Sequence, residues 1–361
     1  MKVIEYQDID RAEWSALVQS SSTGTWFQTP EAYSLYASMP DLFRPFAIAV
    51  ERVNELTNEG TLCGVCVGYI TVEKSAIKQF LTRRAIIVGG PCFADDCTNE
   101  EVTALMSAVR KELRSKAIYV ECRNFNSYEQ WKEAFASAGF EYIPHLNFHV
   151  DTSSVEVVEA NLGKSRKRDI KTSVRDGAVI IEKPTIEQVR EYYVILEHLY
   201  KTKVKTPLFP LSFFEALYCH PDGRFLLVGL PKEDGSTEII GGTVCVVLDR
   251  NKSAVINHKS EITMTPSGVM YEWFVCGRDG EWKSIFPSSY ATYAGIKYAA
   301  EHGCARFDMM GAGTPDEAYG VRDFKARFGG KEVEHGRFLC ITKPLLYKVG
   351  KFGVYLLKKL K

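Results

Sequence analysis

The 361-residue sequence contains no apolar run long enough to cross a bilayer, because a membrane-spanning helix needs about 20 predominantly apolar residues. Its first residues, MKVIEYQDIDRAEW, carry acidic side chains where a signal peptide needs an apolar core. Low-complexity segments are absent as well. These absences predict a cytoplasmic location.

An excess of charge of either sign is also missing, because 45 basic residues are matched by 45 acidic ones. A balanced chain has no overall field that would attract nucleic acid or membrane, so any anionic partner must bind a local patch. DNA is not expected as a partner. Hydrophobic residues make up 45% and charged residues 25%, as in ordinary globular proteins, and the length allows two hydrophobic cores.

Paired metal ligands are scarce, although the chain has ten cysteines and seven histidines. Cys63 and Cys66 have the C-x-x-C spacing, but no second pair and no histidine lies nearby. In a large chain without an export signal, such cysteines are typical of small apolar core residues rather than of disulfides or zinc ligands. No metal is expected.

The two halves of the chain repeat one order of predicted elements: strands, a long helix, a strand, a short helix and a strand. In the first half, three strands are predicted at 46–53, 62–72 and 85–88. They are followed by the long helix at 98–113, a strand at 117–123, the short helix at 128–138 and a strand at 140–150. In the second half, three strands are predicted at 225–230, 239–248 and 254–258. They are followed by the long helix at 287–301, a strand at 305–310, the short helix at 322–328 and a strand at 332–341. This repetition predicts a duplicated α/β domain with mixed sheets flanked by helices.

The boundary between the two predicted domains is placed near residues 151–155, where the polar run DTSS follows the last strand of the first half. The sequence therefore predicts a first lobe at 1–152 and a second lobe at 153–361. The second lobe ends in a basic tail.

The most specific pattern is FDMMGAGTPDEAYGVRDFKARFGGKEVEHGR at 307–337. A predicted strand leads into the turn Gly311-Ala312-Gly313, a short basic segment follows at 321–328, and Gly329-Gly330 ends that segment. The order F-D-x-x-G, V-R-D-F-K-x-x-F-G-G and G-R-F resembles the C-terminal signature of the FemABX peptidyltransferases.

Four further segments are similar to the same family, so the resemblance covers most of the chain. They are TWFQTP at 25–30, GFEYIPHLNF at 139–148, KSRKRDIK at 164–171 and PS at 287–288. The resemblance implies two tandem GNAT lobes, similar to acyl-CoA N-acyltransferases. It also implies transfer of an amino acid from aminoacyl-tRNA to an amine of a peptidoglycan precursor, without a cofactor. The predicted helices are too short for the long helical arm of some relatives, which indicates the compact form.

Three residues are candidates for catalysis. Lys325, the lysine of F-K-x-x-F-G, is expected to stabilise the oxyanion of the tetrahedral intermediate, the kind of role that the resemblance implies. Asp308 sits at the end of a predicted strand and is expected to orient a substrate amine or to pair with Arg322. Tyr271 is expected to donate a hydrogen bond to the acceptor. The alternatives are a solvent-facing lysine, an acid that caps backbone N–H groups, and an aromatic residue lining the sheet.

Substrate binding is assigned to residues of two motifs. Phe27 and Gln28 belong to the F-Q-[ST] motif of the first lobe, and the resemblance implies a substrate groove either between the two lobes or along the first one. Arg322, Phe324 and Arg327 belong to the basic segment of the second lobe, and the two arginines are candidates for holding phosphate or carboxylate. The alternative for both arginines is a solvated helix surface.

Two basic segments are candidate contacts with anionic partners. The first is predicted to be either a tRNA-binding patch or a solubilising helix face, with one acid, Asp169, among its basic residues. It comprises Lys164, Arg166, Lys167, Arg168 and Lys171. The second is the tail at 341–361, with six lysines and no acid, which is expected either to lie on an anionic membrane surface or to pack as a helix with its lysines outward.

The main rival interpretation is a GNAT-superfamily N-acyltransferase that uses acyl-CoA or another acyl donor. Enzymes of that class hold the pyrophosphate on a glycine-containing loop at a helix N-terminus. The corresponding segments here, RDGEWKSIFP at 278–287 and CFADDCT at 92–98, lack the glycine pattern, and Asp95-Asp96 would repel a pyrophosphate. A duplicated lobe that binds without catalysis is a third interpretation, which the intact V-R-D-F-K-A-R-F-G-G segment disfavours.

Overall fold

A computed structural model describes residues 1–54, 56–57, 59–250 and 267–359, with side chains up to Phe352. The predicted strand at 254–258 therefore lies outside the described residues. The chain divides into two compact units, Met1–His145 with Glu334–Lys361 and Leu146–Val333. Among the described helices, none combines the length and apolar character that a bilayer crossing requires.

The described residues in the N-terminal part of the first unit form seven strands and five α-helices. In chain order they are β1 (Lys2–Glu5), α1 (Arg11–Ser20), α2 (Pro30–Ala37), β2 (Phe43–Val53), β3 (Gly60–Thr71), α3 (Ala76–Thr82), β4 (Ala85–Gly89), β5 (Cys92–Phe93), α4 (Asn99–Leu113), β6 (Tyr119–Asn124), α5 (Lys132–Ser137) and β7 (Glu141–Ile143). Single turns of 3₁₀ helix lie at Tyr6–Asp8, Trp26–Gln28 and Glu129–Trp131.

The second unit follows, and the chain then returns to the first. The elements are β8 (Leu146–Asp151), α6 (Val155–Asn161), α7 (Lys164–Arg175), β9 (Val179–Ile181), α8 (Ile186–Leu199), α9 (Leu211–Cys219), β10 (Gly223–Pro231), β11 (Thr237–Leu248), β12 (Gly268–Gly277), α10 (Pro287–Glu301), β13 (Cys304–Gly311), α11 (Gly320–Ala326) and β14 (Lys331–Glu334). The last two are β15 (Arg337–Ile341) and α12 (Pro344–Lys359). A π-helical turn at Tyr200–Val204 follows α8.

Each unit is built on one mixed sheet. The first has the strand order β1-β2-β3-β4-β6-β15-β7, with β5 paired to β3, and the second has the order β14-β8-β13-β12-β11-β10-β9. Each sheet includes a parallel pair, β4 with β6 in the first and β12 with β13 in the second. The predicted mixed α/β fold class is confirmed.

The long helices α4 and α10 cover the sheets of their own units. The α4 capping box between Thr98 and Glu101 forms as predicted, and the apolar side chains spaced along this helix are buried. Helix α10 begins at Pro287 and ends at Glu301, as the sequence predicts, and packs on β11, β12 and β13. Both helices therefore form because an apolar side faces a sheet.

The unit boundaries differ from the contiguous lobes 1–152 and 153–361 that the sequence predicts. The predicted strand at 140–150 is two strands, β7 and β8, which lie in different sheets, and the predicted strand at 332–341 is likewise β14 and β15. Pro144 lies at the first break, and Gly336 (φ +64°) lies at the second. A side chain at Gly336 would overlap the Tyr142 ring, so the turn requires glycine. The basic tail consequently belongs to the first unit.

Candidate active site

The parallel strands β12 and β13 of the second unit pair along only part of their length. Pairing runs from Gly268 opposite Cys304 to Tyr271 opposite Asp308. Beyond this point the described strands share no further pairs, although β12 continues to Gly277 and β13 to Gly311. Backbone carbonyl groups at the end of β13 therefore need partners from elsewhere, because unpaired buried carbonyls are costly.

Lys325 supplies those partners. Its ammonium donates hydrogen bonds to the carbonyl oxygens of Met309 and Gly311, the latter at 2.9 Å. The residue lies on α11 and is only 8% exposed. The alternative of a solvent-facing lysine is therefore wrong, and the side chain is fixed where the two strands separate.

The backbone of β13 is distorted at the same place. Met310 has φ +57°, a left-handed conformation that costs a non-glycine residue about 1 kcal/mol or more. The Asp308 carboxylate accepts a hydrogen bond from the Met310 amide at 2.8 Å and thereby holds this conformation. The distortion directs the Met309 and Gly311 carbonyls to the Lys325 ammonium.

Two buried acids balance the Lys325 charge. Burial lowers the pKa of Lys325, while the negative charges of Glu272 and Asp308 oppose that shift. Burial raises the pKa of Glu272, against the effects of Lys325 and of hydroxyl groups on Thr292 and Thr243. The site thus holds a cation in a water-poor environment, where its field on a substrate would be stronger than in bulk water.

Asp308 pairs with a histidine that the sequence analysis missed. His149 on β8 lies directly opposite Asp308 on β13, with 3.1 Å between His149 Nε2 and Asp308 Oδ2. Burial alone would raise the pKa of Asp308, but His149, Arg306 and the Met310 amide lower it overall. Asp308 pairs with His149 instead of the predicted Arg322. The hydrogen bond that its carboxylate accepts from the Met310 amide matches the backbone-capping alternative. Only the register of β8 against β13 could have indicated this pair.

Tyr271 lies opposite Asp308 on β12 and is fully buried. Burial is the main cause that raises the pKa of its hydroxyl to about 12. The side chain therefore lines the sheet, as in the alternative considered above. Its predicted hydrogen bond to an acceptor would require the site to open.

The remaining residues of the signature support the segment around Lys325. Arg322 donates hydrogen bonds to the carbonyl oxygens of Ala312, Thr314 and Pro315 and so braces the loop after β13. Phe324 packs against Phe328 and lies under the Arg166 guanidinium, 4.5 Å from the ring centroid. Arg327 is exposed. Of the three predicted substrate contacts, Arg327 is the one whose charged group faces solvent.

Four of the five predicted tRNA-binding residues share the exposed face of α7. Lys164, Lys167, Arg168 and Lys171 are exposed at helical spacing, whereas Arg166 is buried and pairs with Asp169 at 2.8 Å. The Arg166 guanidinium also lies over the Phe324 and Phe328 rings. Arg166 thus connects α7 to α11, and its assignment to the tRNA patch is corrected to a structural role.

Phe27 and Gln28 are buried in the first unit and present no group to a substrate. The Gln28 side-chain amide donates to the carbonyl oxygens of Val67 and Val88, and its oxygen accepts from the Val67 amide, all at 2.8–2.9 Å. These bonds join β3 to β4, whose own pairing is limited to Tyr69–Ile86 and Ile70–Ala85. The F-Q motif therefore closes a gap in the sheet, which corrects the predicted substrate-binding role.

The first unit also brings together three possible metal ligands, Cys63, Cys97 and Glu101, whose ligand atoms lie within 4.8 Å of one another. The predicted C-x-x-C partner, Cys66, is not in this group. The Glu101 carboxylate is already engaged, because it pairs with Arg52 and accepts from the Thr98 amide. The Arg52 hydrogen bond lowers the pKa of Glu101 to about 2. These contacts explain the cluster without an ion.

Carboxylates lie near the N-termini of α4 and α10, where a GNAT enzyme would hold a pyrophosphate. Asp279 accepts a hydrogen bond from the Ser288 amide at 3.0 Å in the first turn of α10. Glu101 occupies the first turn of α4, and Asp96 pairs with Arg52 close by. An anion would meet negative charge at both positions.

One protein family matches the segment of the chain that contains Lys325. A family model described as the FemAB family matches residues 264–353, which include β12, α10, β13 and α11. The FemABX resemblance is confirmed. No curated protein matches the sequence.

Similarity to solved structures extends over most of the chain. The structure is similar to that of FemX, with a TM-score of 0.69 and 14% identity over 97% of this chain and 99% of that one. It is also similar to a tandem GNAT protein from the clavulanic acid biosynthesis pathway, with a TM-score of 0.54 and 11% identity over 94% of this chain and 98% of that one. A third similar structure is the C-terminal domain of a putative lysylphosphatidylglycerol synthetase from Agrobacterium fabrum. Its TM-score is 0.53 and its identity 12%, over 92% of this chain and 91% of that one. These matches confirm the tandem GNAT-like fold.

Proposed function

We propose that the protein transfers an amino acid from aminoacyl-tRNA to an amine of a peptidoglycan precursor peptide. The FemAB family match and the likeness to FemX support this reaction. The observation that carries it is the buried Lys325 ammonium at the point where β12 and β13 separate.

The reaction forms an amide bond and breaks an ester bond. The neutral acceptor amine attacks the ester carbonyl, and negative charge develops on the carbonyl oxygen. An ammonium has three N–H donors; Met309 and Gly311 receive two from Lys325, and we assign the third to this oxygen. The amine proton passes to the departing ribose oxygen through acceptor groups of the substrates. This route requires neither a covalent enzyme intermediate nor a cofactor.

The exposed face of α7 is proposed to hold the tRNA backbone. Replacing Lys164, Lys167 and Lys171 with glutamine should raise the Kd for tRNA and lower its salt dependence by about two to three units in the log–log slope. The measurement is fluorescence anisotropy with labelled aminoacyl-tRNA over a range of salt. Lys201, Lys203 and Lys205 are also exposed in the second unit, so their triple glutamine variant is the matched control. Equal losses in the two variants would refute a specific role for α7.

The pH dependence of transfer should reflect the Lys325 pKa. Only the charged ammonium stabilises an oxyanion, and burial lowers its pKa. We therefore expect kcat/KM to fall as pH rises through a value below the ordinary lysine pKa of about 10.4. In Lys325→Arg this alkaline loss should disappear, because arginine stays charged. The pH dependence of kcat/KM is measured for both proteins from initial rates corrected for spontaneous ester hydrolysis. An unchanged alkaline loss in the arginine variant would contradict the assignment of this loss to Lys325.

The alternative is an N-acyltransferase that uses acyl-CoA or another donor on an envelope or small-molecule amine. The tandem GNAT relative favours that class by fold. Asp279 at the α10 N-terminus disfavours a pyrophosphate there. The two donors are distinguished by incubating the protein and a muropeptide precursor with either aminoacyl-tRNA or acyl-CoA. Mass spectrometry then shows which donor increases the mass of the precursor. A mass gain only with the thioester would overturn the proposed donor.

The proposed donor and acceptor place the reaction in the cytoplasm, and the tail at 341–361 is proposed to lie at the inner face of the membrane. The lysines of this tail are the basis for that placement. The side chains beyond Phe352 lie outside the described part of the chain.

A further inference from the structure

Helices α3 and α12 of the first unit contact each other and expose large apolar side chains. On α12, Leu345 is 81%, Val349 59% and Phe352 62% exposed, at the spacing i, i+4, i+7 that places them on one side of the helix. On α3, Ile77 is 75% and Phe80 53% exposed, and Leu81 is also exposed. We call these six side chains the α3–α12 surface.

The inner side of α12 is attached to the first unit. Tyr347 packs edge-on against Tyr119, with 5.4 Å between ring centroids. Thr342 Oγ1 donates to the Ala117 carbonyl, and Lys343 Nζ donates to the Ser115 carbonyl at 3.2 Å. The helix is therefore anchored while its apolar side faces outward.

The charges of these two segments all have the same sign. Residues 74–84, KSAIKQFLTRR, contain four basic residues and no acid, and residues 342–361 contain six lysines and no acid. The chain as a whole has no net charge. On α12, Lys348 and Lys351 are exposed beside the apolar side chains. Four exposed lysines, Lys74, Lys78, Lys348 and Lys351, therefore lie on the two segments that carry the exposed apolar side chains.

We propose that the α3–α12 surface docks on an anionic phospholipid bilayer, with its apolar side chains at the acyl boundary and its lysines among the headgroups. Apolar side chains flanked by basic ones match this environment, because headgroup charge and acyl chains lie within a few ångströms of each other. A second copy of the chain would bring two positive surfaces together. Charge complementarity therefore selects the anionic bilayer over self-association.

This inference specifies the membrane contact in the proposed function, whereas the transfer chemistry does not depend on it. Binding is measured by flotation with vesicles of phosphatidylcholine alone and of phosphatidylcholine with phosphatidylglycerol at a 3:1 ratio. We expect at least tenfold stronger partition onto the anionic vesicles, weakening as salt is raised.

Two variants test the surface. The quadruple serine variant F80S/L345S/V349S/F352S should lower partition onto anionic vesicles at least tenfold. The double variant K348Q/K351Q should lower this partition mainly at low salt. Val194 on α8 is 64% exposed in the second unit, so V194S is the matched control and should bind as the parent does. Transfer to a water-soluble muropeptide should be unchanged in all three, which separates failure of docking from failure of the proposed chemistry.

Three results would overturn the proposal. One is equal partition onto neutral and anionic vesicles, and another is partition that the serine variant does not reduce. The third is a dimer, detected by analytical ultracentrifugation, that the serine variant dissociates, which would assign the surface to a second copy of the chain.

Discussion

Replacing Lys325 with glutamine is expected to lower kcat for aminoacyl transfer by roughly 10²- to 10³-fold, the cost of removing one oxyanion-stabilising group. Glutamine retains N–H donors for the Met309 and Gly311 carbonyls but lacks the positive charge. Because the fold contacts are largely kept, binding of both substrates should change little. Single-turnover transfer from aminoacyl-tRNA separates the chemical step from binding.

Two further variants separate catalysis from stability. Lys325→Met removes both the charge and the donors, so it should also lower the stability of the second unit, by about 1–3 kcal/mol for each carbonyl left unsatisfied. Lys331, exposed on β14, gives the control Lys331→Gln, which should transfer at the parental rate. A glutamine variant at 325 that retains more than about a tenth of the parental rate would show that the ammonium has no electrostatic role.

Replacing Gln28 with leucine is expected to give the largest loss of stability of any single change considered. The variant leaves the Val67 amide and the Val67 and Val88 carbonyls without their side-chain partner inside the first unit. At about 1–3 kcal/mol each, three buried unsatisfied groups cost about 3–9 kcal/mol. Urea denaturation followed by tryptophan fluorescence measures the change in the transition of the first unit.

The control for this prediction is Gln130→Leu, since Gln130 is exposed and its replacement should cost less than about 0.5 kcal/mol. If Gln28 instead bound a substrate, the leucine variant would raise KM and leave the unfolding transition in place. That outcome would restore the predicted role of the F-Q motif.

The sequence was sufficient for the fold class and for the residue at the centre of the site. Periodic apolar residues and a capping box predicted α4, and Pro287 together with a stopping glycine predicted the limits of α10. The motif V-R-D-F-K indicated Lys325. These features are local in the chain, so they can be read without knowing which strands pair.

The features that could not be predicted depend on long-range strand pairing. The segments 140–150 and 332–341 each have the apolar pattern of one strand, and alternation alone does not show that their halves enter different sheets. The His149–Asp308 pair follows only from β8 lying beside β13. The structural role of Gln28 likewise requires the gap between β3 and β4, which no local pattern reveals.

The Arg166 correction has a similar origin. In the sequence, five basic residues within eight positions form one patch, and helical spacing places most of them together. Arg166 points to the other side of α7, where Asp169 and the Phe324 and Phe328 rings compensate its charge. A buried arginine is stable only with such partners, and the two aromatic rings come from α11 and the turn after it, more than 150 residues away in the chain.

The most direct test of the site is a crystal structure of the protein with an amide-linked 3′-aminoacyl-adenosine, a donor analogue that cannot be hydrolysed. We expect the analogue's carbonyl oxygen to lie about 2.7–3.1 Å from Lys325 Nζ, beside the carbonyls of Met309 and Gly311. An analogue bound with its carbonyl remote from Lys325, with the ammonium still enclosed between β12 and β13, would contradict the proposed catalytic role and leave this lysine a purely structural one.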